Sequence, residues 1–205
     1  MNIISWNARG AECTKFKTTV MNLSRTHHMD ILFICEPRIS GGKAIDVVKS
    51  LGFSNYEIVD ANGFSGGMWL LWNASKVTVD IVGTSAQSIS ACVCWPGQTP
   101  WMFTAVYAHP CIAKRQKLWD YLSFVGANHN MPWIIAGDFN EMLRFEDKLG
   151  GTSLCRLRGF KTWFDNHDMV DLGFYGSKYT WTNKKGYVIG SALDKSYALI
   201  APLKQ

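Results

Sequence analysis

Short apolar runs of strand length begin the chain, and a stretch of helical spacing lies between them. The two runs are NIISW at 2–6 and DILFIC at 30–35. Between them, the apolar residues Phe16, Val20 and Leu23 recur at intervals of three and four positions, and no glycine or proline interrupts their stretch. Such spacing places apolar side chains on one face of an α-helix. The beginning of the chain therefore predicts a strand, a helix and a second strand.

The middle of the chain consists of β-branched and aromatic runs separated by clusters of Asn, Ser, Gly and Pro, which is typical of consecutive strands. The predicted strands are GMWLLW (67–72), VTVDIVG (77–83), SISACVCW (88–95), WMFTAVYA (101–108) and WIIAGDFN (133–140), followed by strands at 178–183 and 187–190. Further helices are predicted at 42–51, 114–125 and 156–166. Short links between strands favour antiparallel hairpins. Helices around a run of strands predict a layered α/β domain with mixed sheets.

The composition supports one globular domain over residues 1–205. Hydrophobic residues make up 47% of the chain and charged residues 18%, which excludes a disordered chain and supplies ample material for a core. The formal net charge of +5 is compatible with a polyanionic partner without requiring one. No apolar run approaches the ~18–20 residues of a membrane helix, and the first residues lack the pattern of a secretory signal. We therefore expect an intracellular protein, with a nuclear location allowed, and no membrane or obligate protein partner.

The six cysteines form neither a disulfide framework nor a metal-binding pattern. Cys35, Cys92 and Cys94 lie inside apolar strand-like runs, so we expect buried thiols in a reducing compartment. No C-x-x-C pair occurs, and the five histidines lack zinc spacing around the cysteines. A zinc site is therefore not expected.

Polar residues stand at the ends of four predicted strands. Asn7 ends the first strand, Glu36 the second and Tyr107 the strand WMFTAVYA, while Asp138 and Asn140 end WIIAGDFN. Taken one at a time, an Asn at a strand end is usually a turn residue, and a Glu before a Pro is usually solvated. Loops at one rim of a sheet are, however, where rigid scaffolds hold reactive groups. Two carboxylates, two amides and a phenol suit a hard ion such as Mg²⁺, which takes few carboxylates and keeps waters and substrate oxygens.

A set of motifs in a fixed order resembles the endonuclease/exonuclease/phosphatase superfamily. The motifs are SWNARG (5–10), FICEPR (33–38), SGGMWLLW (65–72), AVYAHP (105–110), IIAGDFN (134–140), YTWTN (179–183) and ALDKSYA (192–198). Their form is similar to that of the endonuclease domain of plant LINE-type, non-LTR retrotransposons, and the resemblance covers nearly the whole chain. It implies a four-layer α/β sandwich of two mixed β-sheets flanked by helices. It also implies hydrolysis of phosphodiesters or phosphomonoesters with Mg²⁺ or Mn²⁺, with DNA as the partner.

The resemblance assigns roles to the polar strand ends. Glu36 would bind the metal ion, and Tyr107 would donate a hydrogen bond to a phosphate oxygen. Asp138 would position and deprotonate the attacking water. Asn7 and Asn140 would contact the scissile phosphate or support the surroundings of the metal. These roles agree with the chemistry, because a metal ion offsets the negative charge of a phosphodiester while a carboxylate aims the water.

Residues later in the chain receive further roles from the same resemblance. Asp194, in LDK, matches the carboxylate that orients a catalytic histidine in the family. Trp181 belongs to an aromatic box that can help to place a nucleotide, with a core position as the competing interpretation. Arg156, Lys184 and Lys185 could touch a nucleic-acid backbone, and a solvated basic face is the alternative.

The sequence departs from the family pattern in three places. The family ends in a strand carrying S-D-H, and no such tripeptide occurs here, so we expect a chain truncated at its C-terminus. Because loss of a general acid or base costs ~10²–10⁴ in rate, we expect a weak or inactive nuclease. Of the histidines, His109 is the best substitute, but a loop position before Pro110 is the more ordinary interpretation. Arg9 stands where repair-type members carry an acidic residue, and Ala192 replaces a usual arginine.

Three functions remain open from the sequence. The first is a Mg²⁺-dependent endonuclease of retroelement origin. The second is a catalytically silent relic that binds nucleic acid without cutting it. The third is a phosphatase for a soluble phosphoester, since the superfamily includes such enzymes.

Overall fold

The computed structural model describes six stretches of the chain. They are residues 2–61, 66–147, 154–173, 181–182, 190–191 and 196–201. The chain divides into two compact units, Met1–Tyr107 and Ala108–Gln205. Each unit combines β-strands with helices of its own, as expected of an α/β protein.

The described part of the first unit holds two helices and seven strands. In chain order these are β1 (Ile3–Asn7), α1 (Thr14–His27), β2 (Ile31–Cys35), α2 (Gly41–Lys49), β3 (Asn55–Val59), β4 (Met68–Trp72), β5 (Thr78–Ser85), β6 (Ser88–Cys94) and β7 (Trp101–Tyr107). The elements predicted from the sequence recur here with ends shifted by one or two residues. The sequence does not predict β3, because Asn55 and Glu57 interrupt its apolar pattern.

Four strands of the first unit form a mixed sheet in the order β1-β2-β4-β3. β1 and β2 are parallel because α1 returns the chain between them, whereas β4 is antiparallel to both β2 and β3. All residues of β2 and β4 are buried, as expected of apolar strands in the middle of a sheet. Helix α1 buries Phe16 and Val20, and the Phe16 ring stacks on Trp6 of β1 with the ring centroids 5.3 Å apart.

β5, β6 and β7 form an antiparallel run, which confirms the predicted hairpins. β7 is buried along its whole length and ends in Tyr107. Between β6 and β7, the hydroxyl groups of Ser90 and Thr104 form a hydrogen bond of 3.0 Å, which satisfies two buried polar side chains. The buried rings of Trp95 and Trp101 stack with their centroids 5.8 Å apart. These contacts hold the start and the middle of β7 in place.

The described part of the second unit holds two helices, a 3₁₀ turn and five strands. In chain order these are α3 (Ile112–Ala127), β8 (Trp133–Asp138), a 3₁₀ turn (Phe145–Asp147), α4 (Leu154–Asn166), β9 (Val170–Asp171), β10 (Trp181–Thr182), β11 (Gly190–Ser191) and β12 (Ser196–Ala201). β12 pairs antiparallel with both β8 and β9, while β10 pairs with β11. The sequence does not predict β12. Its segment SYALIA overlaps the motif ALDKSYA and is not recognised as a strand of its own.

Aromatic rings fill the core of the second unit. The Trp119 ring of α3 stacks on Phe160 and Trp163 of α4, with centroids 5.2 and 5.7 Å apart. Phe139, immediately after β8, is fully buried and stacks on Phe160 at 5.0 Å. One aromatic cluster therefore joins α3, α4 and the end of β8, and fixes the point at which the chain leaves that strand.

Cys92 and Cys94 differ from the expected buried thiols. Both are partly exposed, because they lie on the face of β6 opposite the fully buried Ile89, Ala91 and Val93. The five cysteines whose side chains the structure describes are free thiols. No helix within the described stretches is long and apolar enough to cross a membrane.

Candidate active site

Three side chains donate hydrogen bonds to the carboxylate of Glu36 in the first unit. The amide Nδ2 of Asn7 lies 3.3 Å from Oε1, and the hydroxyl of Tyr107 lies 3.0 Å from the same oxygen. The guanidinium of Arg38 bonds the other oxygen, Oε2, and forms an ion pair with it. We call Asn7, Glu36, Arg38 and Tyr107 the Glu36 cluster.

The strand register explains how distant residues meet in the Glu36 cluster. Asn7 is opposite Cys35 in the parallel pair of β1 and β2, so the two strands end together and Glu36 follows at once. The carboxyl ends of parallel strands meet at one edge of a sheet, which is a common place for ligand-binding groups. Tyr107, at the end of β7, brings its hydroxyl to the same carboxylate.

The backbone at Glu36 is strained. Its φ is 54°, in the left-handed region that a bulky residue rarely adopts, and the following Pro37 disfavours such a conformation further. The backbone N–H of Glu36 donates to the carbonyl of Gly67 at 3.2 Å. A Cβ on Gly67 would lie 3.1 Å from both Pro37 Cγ and the backbone nitrogen of Ala61, so only glycine allows this close approach without a shift. Strain of this kind concentrates at functional sites, where the surrounding structure maintains it.

The environment of Glu36 favours its ionised form. Burial raises the pKa of this carboxyl, but hydrogen bonds from Arg38, Tyr107 and Asn7, together with the charge of Arg38, lower it more. The net result is a pKa below the ordinary value of a glutamate. The cluster therefore presents a partly buried negative charge with two neutral hydrogen-bond donors beside it.

The donor set of the Glu36 cluster fits a hard divalent ion. Mg²⁺ is usually bound through one or two carboxylates and completes its coordination with waters and substrate phosphates, so a single ionised carboxylate is sufficient. Within the described residues, no group of three or more His, Cys, Asp or Glu side chains forms an all-protein metal cage. Arg38 already contacts Oε2, so an incoming cation would have to displace this guanidinium.

The end of β8 forms a second polar centre, in the second unit. Oδ1 of Asp138 accepts a hydrogen bond of 2.9 Å from the backbone N–H of Asn140, which is an Asx turn. The backbone carbonyl of Asp138 accepts from the N–H of Ala108 at 2.8 Å. Nδ2 of Asn140 donates to the carbonyl of Ala108 at 2.7 Å, and the φ of 47° at Asn140 is one that asparagine tolerates. We call residues 138–140, held in this way, the Asp138 turn.

Two further sets of contacts hold the Asp138 turn in place. Between its two polar residues, Phe139 is fully buried in the aromatic cluster and also stacks on Trp119 at 6.3 Å. Beyond the turn, the buried carboxylate of Asp147 accepts the backbone N–H groups of Leu143 and Arg144 at 3.2 and 3.0 Å. Asp138 itself is 2% exposed. The run IIAGDFN therefore ends in a rigid turn that presents a carboxylate in one orientation.

His109 has the contacts of a loop residue at the start of α3. Its Nδ1 accepts a hydrogen bond of 2.9 Å from the backbone N–H of Cys111. Burial and the charges of Lys114 and Arg115 lower the pKa of His109, which favours its neutral imidazole.

The structure thus brings Asn7, Glu36 and Tyr107 together in the first unit, and Asp138 and Asn140 together in the second. Trp181 lies in β10 and Arg156 in α4. The remaining candidates, Asp194, Lys184 and Lys185, lie outside the described residues. Sequence reasoning missed Arg38 and Gly67. The motif FICEPR contains Arg38 two residues after the carboxylate, and two adjacent glycines precede β4, so both signals were present.

The sequence matches a known protein family, and the fold matches solved structures. A family model described as Endonuclease/Exonuclease/phosphatase family matches residues 4–189. No curated protein sequence matches this chain.

Among solved structures, the 3'-5' exonuclease NExo from Neisseria meningitidis is 17% identical, with a TM-score of 0.69 over 98% of this chain and 87% of that one. The AP endonuclease LMAP from Leishmania major is 14% identical, with a TM-score of 0.70 over 97% and 78%. The endonuclease domain of TRAS1, a telomere-specific non-LTR retrotransposon, is 12% identical, with a TM-score of 0.67 over 97% and 84%. These similarities confirm the predicted fold class, an α/β sandwich of two mixed β-sheets flanked by helices.

Proposed function

This chain belongs to the Endonuclease/Exonuclease/phosphatase family, and we propose that it is a divalent-metal-dependent hydrolase of DNA phosphodiester bonds. The observation that carries the proposal is the Glu36 cluster, in which an ionised carboxylate stands beside the amide of Asn7 and the hydroxyl of Tyr107. A negative charge next to neutral donors suits a cation and the oxygens of a phosphate group together. The AP endonuclease and the retrotransposon endonuclease among the similar structures support DNA as the substrate.

We assign the metal ion, Mg²⁺ or Mn²⁺, to Glu36. When bound, such an ion offsets the negative charge of the phosphodiester and stabilises the leaving oxygen. Tyr107 then donates its hydroxyl hydrogen to a phosphate oxygen instead of to Glu36, and Asn7 does the same with its amide. Both donors already lie beside the carboxylate, so each would only have to turn its donor group toward the phosphate.

We assign the attacking water to Asp138. A carboxylate acting as general base must hold the water in line with the phosphorus and accept its proton. The Asx turn fixes Oδ1 of Asp138 through the N–H of Asn140, which leaves the carboxylate in one orientation for this task. Asn140 uses one of its two amide hydrogens for the carbonyl of Ala108, and the other remains available as a donor to the phosphate.

The finer parts of the proposal rest on sequence motifs. SWNARG, SGGMWLLW and IIAGDFN, in this order, support an origin in a LINE-type retroelement of plants. Asp194 is proposed to orient a catalytic group, and Trp181 to place a nucleotide. Arg156, Lys184 and Lys185 are proposed as contacts to the DNA backbone, where cationic side chains supply affinity without sequence preference.

Two other functions stand beside this proposal. The first is a protein that binds nucleic acid without cutting it. A phosphatase for soluble phosphoesters would use the same Glu36 cluster on a different substrate.

Nicking of supercoiled plasmid DNA tests the proposal. The wild-type chain is incubated with Mg²⁺, with Mn²⁺ and with a chelator, beside the isosteric variant Glu36→Gln and the control Glu57→Gln in β3. Cleavage that requires the metal, survives in the control and is lost in Glu36→Gln supports the proposal. Equal cleavage by all three proteins contradicts the assignment of Glu36.

Two other outcomes select the rival functions. Retention of DNA in a gel-shift assay without any nicking identifies the nucleic-acid binder. Release of inorganic phosphate from a soluble phosphomonoester, without DNA cleavage, identifies the phosphatase.

A further inference from the structure

Helix α3 buries a charged residue among apolar ones. Arg115 is fully buried, on the same helical stripe as Leu118, Trp119 and Leu122. Its partner, Glu141, is 2% exposed. A buried ion pair costs desolvation energy on both sides, and well-packed apolar residues of similar volume stabilise a protein equally well or better. Stability alone therefore gives no reason to have this pair in the core.

The guanidinium of Arg115 makes directional contacts on two sides. Toward Glu141, Nε donates to Oε1 at 2.8 Å and Nη2 lies 2.7 Å from the same oxygen. Toward the chain before α3, Nη1 donates to the backbone carbonyls of His109 and Pro110 at 2.8 and 2.9 Å. The planar fork of donors allows one side chain to connect a carboxylate with two carbonyls.

Both segments that Arg115 connects adjoin the Asp138 turn. Glu141 directly follows Asn140, the last residue of the turn. His109 directly follows Ala108, whose N–H and carbonyl bond the Asp138 carbonyl and the Asn140 amide. The same two stretches of chain are therefore tied twice, once through Ala108 and once through the buried guanidinium.

We propose that Arg115, through its ion pair with Glu141, is a positioning residue that holds the Asp138 turn in its reactive orientation. This inference rests on the proposed function, in which Asp138 aims the attacking water. Arg115 does not touch the substrate, because it is fully enclosed. Its contribution is the alignment of a carboxylate, for which a displacement of about 1 Å can cost on the order of 10²-fold in rate.

The test compares single and double replacements of the pair. Arg115→Met and Glu141→Leu each break the buried ion pair, so both single variants lose stability and are expected to melt at lower temperature. The double variant removes both charges, so it should regain most of the melting temperature that the single variants lose. Arg115→Lys keeps the charge but lacks the fork, and Lys117→Met, at an exposed position of the same helix, is the matched control.

Two readouts separate positioning from simple stability. The first is hydrogen exchange of the Ala108 and Asn140 amides by NMR, because both N–H groups donate to Asp138. The second is the kcat and KM of metal-dependent DNA cleavage. In the stable double variant we expect faster exchange at both amides and a kcat lower by on the order of 10²-fold with little change in KM. Arg115→Lys is expected to fall between the double variant and the wild type, and Lys117→Met to match the wild type.

A double variant with wild-type exchange and wild-type kcat overturns the proposal, since the pair would then be only structural. If the wild-type chain cleaves no DNA, the hydrogen-exchange measurement still tests the proposal. In that case, faster exchange in the double variant supports the positioning of the turn while the proposed function fails. Unchanged exchange overturns the inference itself.

Discussion

The Glu36 cluster and the Asp138 turn hold their carboxylates in different ways. Around Glu36, the carboxylate is bound by side chains from three separate parts of the first unit: Asn7, Arg38 and Tyr107. At the Asp138 turn, two backbone donors hold the residue: the Asn140 N–H binds the side chain and the Ala108 N–H binds the carbonyl.

This difference indicates different tasks. Side-chain donors can turn toward a ligand and leave the carboxylate, so under the proposed function the Glu36 cluster would exchange the Arg38 guanidinium for a metal ion. Backbone donors cannot move without a change in the fold, so the Asp138 turn keeps one orientation. Under the proposed function, the first kind of carboxylate suits the binding of a cation, and the second kind suits the positioning of a water.

The largest effect is expected from replacing Asp138, whose carboxylate the turn holds in one orientation. Asp138→Asn keeps an oxygen that can accept the Asn140 N–H, so the turn should remain folded, but the amide is not a base. We expect the rate of metal-dependent plasmid nicking to fall by ~10²–10⁴-fold with little change in melting temperature. Asp46→Asn, at an exposed position of α2, is the control and should cleave like the wild type. Wild-type cleavage by Asp138→Asn would remove the turn from the mechanism.

The next largest effect concerns the anchor of the turn. Phe139→Ala removes a fully buried ring from the aromatic cluster, and we expect a loss of about 3–5 kcal/mol in the free energy of unfolding. Phe124→Ala, whose ring in α3 is 65% exposed, should change the same quantity by less than about 0.5 kcal/mol. Denaturant titration of both variants measures the difference. Similar losses in the two variants would mean that the turn is not anchored in the core.

A smaller effect is expected from replacing Arg38, whose guanidinium contacts Glu36. Arg38→Met removes the cation that competes for Oε2 of Glu36, so Mn²⁺ should bind more tightly. The Arg38 side chain is 45% exposed, and ion pairs of this kind are worth about 0.2–1 kcal/mol, so Kd should fall by about 1.4- to fivefold. Calorimetric titration with Mn²⁺ measures it. Weaker binding in Arg38→Met would show that the guanidinium supports the site instead of competing for it.

The smallest effect is a change in pH dependence. Because the pKa of Glu36 is lowered in the folded state, its ionised form adds stability above its unfolded pKa, and this is lost as the pH falls through the folded pKa. Tyr107→Phe deletes one of the hydrogen bonds that lower the pKa of Glu36. The variant should therefore be less stable than the wild type at neutral pH, and the gap should narrow on acidification. A gap that does not change with pH would contradict this assignment of the Tyr107 hydrogen bond.

Much of the fold is predictable from the sequence because its strands are strongly apolar. β2 and β4 are uniformly buried, and their runs ILFIC and MWLLW stand out from their polar surroundings. β3 and β12 are harder to predict. In β3, polar residues alternate with apolar ones on a partly exposed strand, and β12 is recognisable as a strand only through its pairing with β8 and β9.

The Glu36 cluster is partly predictable for a similar reason. Asn7 and Glu36 follow two adjacent parallel strands, and the ends of such strands meet at one edge of a sheet. Tyr107 ends β7, which belongs to another sheet, so its contact with Glu36 is not predictable in this way. Arg115 is not predictable in this way, because the run KRQK looks like a solvated basic surface and its partner Glu141 lies 26 positions away. Its position on the stripe of Leu118 and Leu122 was the signal that a charged residue faces the core.

The central claim is that Glu36 holds the divalent ion, and anomalous diffraction from crystals grown with Mn²⁺ tests it most directly. We predict an anomalous peak within coordination distance of a Glu36 carboxylate oxygen, with the Arg38 guanidinium turned away, and no such peak in Glu36→Gln. A manganese peak at another site, or the same peak in Glu36→Gln, would contradict the account.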